Sequence, residues 1–88
     1  MFYTYVLRSR VTGHLYTGST SNLQARFQQH NSDESASTKN RGPWDLMHHE
    51  EFTTLAEAVR RERYFKTGRG REELKKLVEL VQSSRSAG

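Results

Sequence analysis

The chain has 88 residues, of which only 33% are hydrophobic, so it forms a single small domain, because so short a chain cannot divide its apolar residues between two cores. The absence of cysteine excludes disulfide scaffolds, thiolate-bound zinc, iron–sulfur clusters and cysteine nucleophiles. Fourteen basic residues against ten acidic ones give a net charge of +4, which favours a polyanionic partner. No apolar run approaches the roughly 20 residues of a membrane span and the N-terminus has no signal-peptide pattern, so we expect a soluble, cytoplasmic protein.

The N-terminal part of the chain predicts a β-hairpin. Residues 2–8 are dense in aromatic and β-branched side chains, and the turn-forming segment 11–13 separates them from a second strand over residues 14–19. Tyr5 and Tyr16 face the same side of this hairpin if its connection has an even number of residues. The sequence leaves that register open.

A short helix, a loop and a third strand follow. Ser21 or Asn22 is a suitable cap for a helix that runs to about His30. Residues 31–42 are polar and rich in serine and asparagine, which predicts an exposed loop. After a proline, residues 44–52 have the composition of a strand.

Two helices complete the chain. Thr54 and Glu57 form a capping box that opens a helix over residues 55–67. The glycines of segment 68–70 predict a break, and the apolar spacing beyond them predicts a last helix over residues 71–82.

The predicted order is therefore β-β-α-β-α-α. This order is typical of a small α+β fold in which one three-stranded sheet is covered by three helices. We expect one domain over residues 1–82 and a flexible C-terminal tail over residues 83–88.

A carboxylate and an ammonium interrupt the predicted apolar stripe of the helix over 55–67. On a wheel of about 100° per residue with Leu55 at zero, Glu62 and Lys66 fall within about 20° of the centre, between Val59 and Phe65. Burial of an unpaired carboxylate is costly, so we expect Glu62 to be paired, metal-bound or at the edge of a cleft. The simplest structural interpretation is an i,i+4 ion pair with Lys66.

The first helix carries a similar polar pair. Arg26 and His30 lie one turn apart on the flank of its apolar stripe. A structural interpretation is an arginine whose stem covers apolar surface beside a boundary histidine. In the third strand, His48 and His49 point to opposite faces, and we interpret both as structural.

The basic residues are concentrated near the C-terminus. Residues 60–76 contain eight basic and three acidic side chains, a net charge of +5 that exceeds that of the whole chain. Such a concentration is the usual electrostatic footprint of nucleic-acid binding, although a solvated helix surface has the same composition.

These polar residues coincide with the motifs of a known family. The chain resembles the GIY-YIG nucleases, and in particular small single-domain bacterial members related to the nuclease domain of the excision-repair endonuclease. The resemblance covers about residues 2–80. Its four motifs stand in order along the chain as Tyr3-Thr4-Tyr5, Tyr16-Thr17-Gly18, Arg26-x-x-x-His30 and Glu62-Arg63-x-x-Lys66.

Three departures from the family pattern are visible. The glycine and isoleucine of the first motif are Tyr3 and Thr4 here, as is usual in the small group. His14 stands where many members have lysine, and residues 67–76 contain no asparagine, which some members use. The last two departures concern the efficiency of cleavage more than the fold.

The resemblance implies metal-assisted hydrolysis of DNA phosphodiester bonds, in repair, recombination or processing. Glu62 would hold a single Mg²⁺ or Mn²⁺, and Arg26 would bind the scissile phosphate. Tyr5 is the first choice as general base. His30 could relay the proton, or Tyr16 could be the base while Tyr5 orients the water.

The resemblance also suggests residues that contact the nucleic-acid backbone. Gly18 would let the backbone approach a phosphate closely. The candidates for sequence-independent contacts are His14, Lys39, Arg41, Arg60, Arg63 and Lys66.

Two other interpretations stay open. One is a nucleic-acid-binding module on the same fold that does not cleave, and the other is a basic protein–protein adaptor. The expected partner is DNA, whether single-stranded, branched or duplex, with no membrane association. The expected oligomeric state is a monomer or a weak homodimer.

Overall fold

Three antiparallel strands form one sheet in the order β2-β1-β3 in the computed structural model, which describes residues 1–32 and 42–87, with side chains up to residue 80. The strands are β1 (Phe2–Ser9), β2 (Leu15–Thr20) and β3 (Trp44–Phe52). The predicted α+β class and element order are confirmed. Because β2 is an edge strand, one side of it faces no other strand among the described residues.

The strand register decides which side chains share a face. Tyr5 pairs with Gly18 and Leu7 pairs with Tyr16, so the two motif tyrosines point to the same face, which the sequence had left open. The register between β1 and β3 shifts after Val6, which leaves Met47 as the extra residue of a β-bulge.

Three helices flank the sheet: α1 (Leu23–Asn31), α2 (Leu55–Phe65) and α3 (Gly68–Ala87). Asn22 caps α1 by accepting from the Ala25 amide, and Thr54 caps α2 by accepting from the Glu57 amide. Both caps are as the sequence predicts.

The boundaries of α3 differ from the prediction at both ends. The helix begins at Gly68 and not at residue 71, because the Thr67 hydroxyl accepts from the Gly70 amide at 3.1 Å and caps this turn. It continues beyond residue 82 to Ala87. The flexibility predicted for residues 83–88 stays a prediction, and the loop predicted for residues 31–42 lies largely outside the described residues.

The core has one cluster on each face of the sheet. On one face, α1 covers Tyr5, Leu7 and Trp44. On the other, α2 and α3 cover Val6, Met47 and residues of their own. Within the described residues, no helix has the length and apolar character needed to cross a membrane.

Candidate active site

A buried tyrosine–histidine pair lies between the central strand and α1. Tyr5 is 1% exposed and His30, in the last turn of α1, is fully buried. The Tyr5 Oη atom lies 2.9 Å from His30 Nε2, so the two groups share a hydrogen bond whose donor depends on the histidine tautomer. Because both groups are polar and buried, this bond fixes the position of each.

Burial keeps both members of the pair neutral. It raises the pKa of Tyr5 to about 12, against the opposing effect of a hydrogen bond from Arg26. Burial also lowers the pKa of His30 to about 4, and the nearby positive charge of Arg26 acts in the same direction. At neutral pH a neutral phenol therefore faces a neutral imidazole.

Gly18 accommodates the ring of Tyr5. A Cβ atom at Gly18 would lie 2.6 Å from Tyr5 Cζ and would also collide with Tyr5 Oη. No other residue fits at this position without moving the tyrosine. The structure thus gives Gly18 a steric role that the sequence did not show, and its contact with a phosphate stays a prediction.

Tyr16 and Arg26 extend the site toward solvent. The Tyr16 ring centroid lies 4.9 Å from that of His30 and 6.3 Å from that of Tyr5, and Tyr16 is only half-buried. Side-chain hydrogen bonds to Tyr5 and Tyr16 raise the pKa of Arg26. Arg26 also donates from Nη1 to Gln29 Oε1 at 3.0 Å. The guanidinium is thereby held beside both phenols.

Glu62 reaches the same edge of the sheet from α2. Its Oε1 atom accepts from Ser19 Oγ and its Oε2 atom from Lys66 Nζ, each at 2.8 Å. Burial is the main cause of the raised pKa of Tyr5, and the negative charge of Glu62 makes the smallest contribution in the same direction. The expected pairing with Lys66 is confirmed.

The buried face of α2 is rotated relative to the apolar stripe that the sequence predicts, which was centred on Leu55. Leu55 is half exposed, and the buried residues are Ala58 and Phe65. Lys66 therefore lies outside the core, with 58% of its side chain exposed, while Glu62 lies at the boundary with 20% exposed.

The other predicted contact residues are distributed over the surface. His14 is exposed just before β2, and Arg60 and Arg63 are exposed on α2. Lys39 and Arg41 lie outside the described residues, so their contacts stay a prediction.

Sequence reasoning missed Arg61, which the wheel placed away from the stripe. Arg61 donates from Nε and Nη2 to both carboxylate oxygens of Glu50 and from Nη2 to Glu73. Its guanidinium also lies over the Phe65 ring, 4.3 Å from the centroid. The only available sequence signal was Glu50, which lies two residues from His48 and therefore on the same face of β3. In the structure His48 Nε2 lies 2.8 Å from Glu50 Oε2. This cluster is structural.

Any metal ion at this site would depend on Glu62. In residues 1–32 and 42–80, no three histidine or carboxylate side chains lie close enough together to hold a metal ion. Glu62 nevertheless suits a hard cation, because it offers oxygen donors at a partly exposed position. Its two partners, a hydroxyl and an exposed ammonium, can be displaced. One carboxylate with water and phosphate ligands is a usual arrangement for Mg²⁺.

Comparison with known proteins gives consistent results. Residues 1–76 match the family model described as the GIY-YIG catalytic domain. A UPF0213 protein of Staphylococcus haemolyticus is 38% identical over 78 residues, which cover 88% of this chain and 94% of that protein. A UPF0213 protein of Bacillus pumilus is 46% identical over 66 residues, which cover 74% of this chain and 66% of that protein.

A solved structure agrees as well. The solution NMR structure of a UPF0213 protein from Bacillus halodurans superposes with a TM-score of 0.53 at 33% identity, covering 88% of this chain and 85% of that one.

Proposed function

The chain belongs to the GIY-YIG nuclease family, and we propose from this premise that it is an endonuclease that hydrolyses DNA phosphodiester bonds with a divalent metal ion. GIY-YIG nucleases generally depend on such an ion. The observation that carries the proposal is that Tyr5, Tyr16 and Arg26 lie together beside α1, while Glu62 reaches the same edge strand from α2 through its hydrogen bond with Ser19 on β2. DNA repair, recombination or processing is the setting that we propose.

Arg26 is the residue that would bind the scissile phosphate. A guanidinium presents several N–H donors in one plane and matches the paired oxygens of a phosphate. Arg26 donates a hydrogen bond from Nη1 to Gln29 Oε1 at 3.0 Å, and it lies close enough to Tyr5 and Tyr16 for their side chains to raise its pKa. Its position is therefore set before substrate arrives, which lowers the cost of orienting the phosphate.

Tyr16 is the better placed of the two phenols to receive a proton from water. A general base must reach the proton it abstracts, and Tyr16 is half-buried whereas Tyr5 is enclosed. This assignment differs from the interpretation that favoured Tyr5. Tyr16 can act as a base only as the phenolate, so its own proton must first pass to solvent. As water attacks phosphorus, the phenolate then takes the proton of that water.

The buried pair of Tyr5 and His30 then acts as a positioning unit. Its hydrogen bond holds both rings against Tyr16. Neutral His30 accepts the hydrogen bond of the Tyr5 hydroxyl when Nε2 carries no hydrogen, and both groups stay neutral. The bond from phosphorus to the leaving oxygen breaks, and solvent protonates that oxygen.

Glu62 would hold the metal ion. A divalent ion, when bound, neutralises charge on the phosphate oxygens and lowers the pKa of a water ligand. Ser19 orients one carboxylate oxygen, and Lys66 must release the other before that oxygen can act as a ligand.

The proposal is tested with purified protein on single-stranded, nicked, flapped and duplex DNA in Mg²⁺, Mn²⁺ or EDTA. We expect cleavage in at least one metal and none in EDTA. Glu62→Gln and Arg26→Ala should each lower the rate by about 10² or more. Tyr16→Phe should lose more activity than Tyr5→Phe. Glu72→Gln, at an exposed position on α3, is the matched control and should cleave normally.

Stability separates a catalytic role of Glu62 from a structural one. Because Lys66 is largely exposed, Glu62→Gln should change the stability in EDTA by only about 1 kcal/mol. A Glu62→Gln protein that cleaves at the normal rate would remove the metal-ligand assignment. Binding of DNA without cleavage in either metal would favour the non-catalytic module.

A further inference from the structure

A basic groove runs along the side of β2 that faces α3. It has a volume of about 690 Å³, and Lys66, Arg71 and Lys75 supply its positive charge. No acidic residue lines this groove in the described part of the chain.

The two basic residues of the groove on α3 are available to a ligand. Arg71 and Lys75 stand four residues apart, where like charges repel, and Glu79 stands four residues beyond Lys75. Both basic side chains are exposed, and within the described residues neither forms an ion pair. A polyanion lying in the groove would remove this repulsion.

The groove is continuous with the candidate active site. Tyr16 lines the groove and also packs against His30. Lys66 lines the groove and also contacts Glu62. These two shared residues place the groove next to the candidate active site, along the edge strand β2.

The apolar floor of the groove offers no surface for a base. Phe65 and Leu74 line it, but both are buried, so neither offers an open face on which a base could stack. The exposed residues of the groove on α3 are the basic side chains Arg71 and Lys75. Such a surface recognises a phosphate backbone independently of sequence.

We propose that the basic groove binds the phosphodiester backbone of the cleaved nucleic-acid strand next to the scissile phosphate, with Arg71 and Lys75 as the principal contacts. The inference rests on the proposed function and deepens it, because it assigns the path of the substrate. Neither Arg71 nor Lys75 belongs to the family motifs.

The test compares Lys75→Ala with Lys76→Ala. The two lysines are adjacent and exposed on α3, and only Lys75 lines the groove. Both substitutions remove one positive charge, and alanine favours the helix, so folding is preserved. Binding of labelled single-stranded and duplex DNA of several sequences is measured in EDTA over a range of salt concentrations.

Lys75→Ala should weaken binding several-fold for all sequences. It should also lower the slope of log affinity against log salt by about 0.7 for single strands and about 0.9 for duplexes, as expected for one lost phosphate contact. Lys76→Ala should leave the slope unchanged. Equal slopes in the two variants, or a wild-type protein that binds no DNA, would contradict the proposal that the groove binds the nucleic-acid backbone.

The two proposals fail in different ways. If the wild-type protein binds DNA but never cleaves it, and Lys75→Ala lowers the salt slope of binding, DNA binding in the groove is supported and the nuclease function is contradicted. If the protein cleaves DNA and Lys75→Ala leaves binding unchanged, only DNA binding in the groove is contradicted.

Discussion

His30 links the stability of this protein to pH because it is buried in the neutral form. In the unfolded chain a histidine binds a proton below about pH 6.5, whereas in the folded protein the pKa of His30 is lowered to about 4. Between these values the unfolded state binds more protons than the folded state. Stability is therefore complete above about pH 6.5 and decreases as the pH falls toward 4.

We expect this linkage to cost about 3 kcal/mol of stability between pH 7 and pH 4. His30→Gln should be less stable than the wild type at neutral pH, because it disturbs a packed site, but it should lack this part of the pH dependence. Urea unfolding of both proteins at pH 7 and pH 4 measures the difference, and the carboxylates that also titrate are common to both. An equal decrease in the free energy of unfolding of both proteins between pH 7 and pH 4 would contradict the prediction.

At the scale of elements, Gly70 decides how α3 follows α2. A Cβ atom at Gly70 would collide with the carbonyl oxygen of Tyr64 and would lie 2.8 Å from the Cα atom of Phe65. Gly70 is thus needed because the start of α3 lies close to the end of α2. It does not interrupt a helix, although the sequence predicts a break at residues 68–70. A Cβ atom at Gly68 would meet nothing within 4 Å.

Gly70→Ala should accordingly destabilise the protein by about 3 kcal/mol, because backbone atoms must move to admit the methyl group. Gly68→Ala adds the same methyl group in open space and should be neutral or stabilise by up to about 1 kcal/mol. Thermal unfolding of the two variants tests the pair. Similar effects at both positions would show that helix propensity, and not the close approach, dominates.

At the scale of the whole molecule, Arg61 joins three elements. From α2 it contacts Glu50 in β3 and Glu73 in α3, at 2.9 Å and 3.0 Å. Burial alone would raise the pKa of Glu50, but hydrogen bonds from Arg61 and His48 lower it. Because the Arg61 side chain is only 27% exposed, solvent cannot fully replace these contacts.

Arg61→Ala should therefore lower the free energy of unfolding by about 2 kcal/mol, since Glu50 keeps only His48 as a partner and the Phe65 ring loses its contact with the guanidinium. Arg10→Ala is the matched control, because Arg10 also forms a two-pronged contact, with Asp45, but is 63% exposed. Its effect should be much smaller. Equal losses measured by urea unfolding would contradict a special role for Arg61.

The sequence by itself determined the six elements, and its resemblance to the GIY-YIG nucleases suggested the residues of the candidate site. Local signals were sufficient for the elements: β-branched and aromatic runs, a cap at Thr54 and another at Ser21 or Asn22, and apolar residues at helical spacing. Helical spacing also singled out Arg26, His30 and Glu62, but only the family motifs suggested catalytic roles for them. These local signals depend only on neighbours within about one helical turn, so they do not require any long-range contact.

Only the tertiary structure decided how these residues meet. The rotation of α2 placed Arg61 against the core and left Lys66 exposed, because α2 packs through Ala58 and Phe65 and not through Leu55. The register of β1 and β2 placed Gly18 beneath Tyr5, which local composition cannot report. Register and helix rotation are set by contacts between residues far apart in the chain, and a periodic pattern constrains each element without fixing its orientation toward the others.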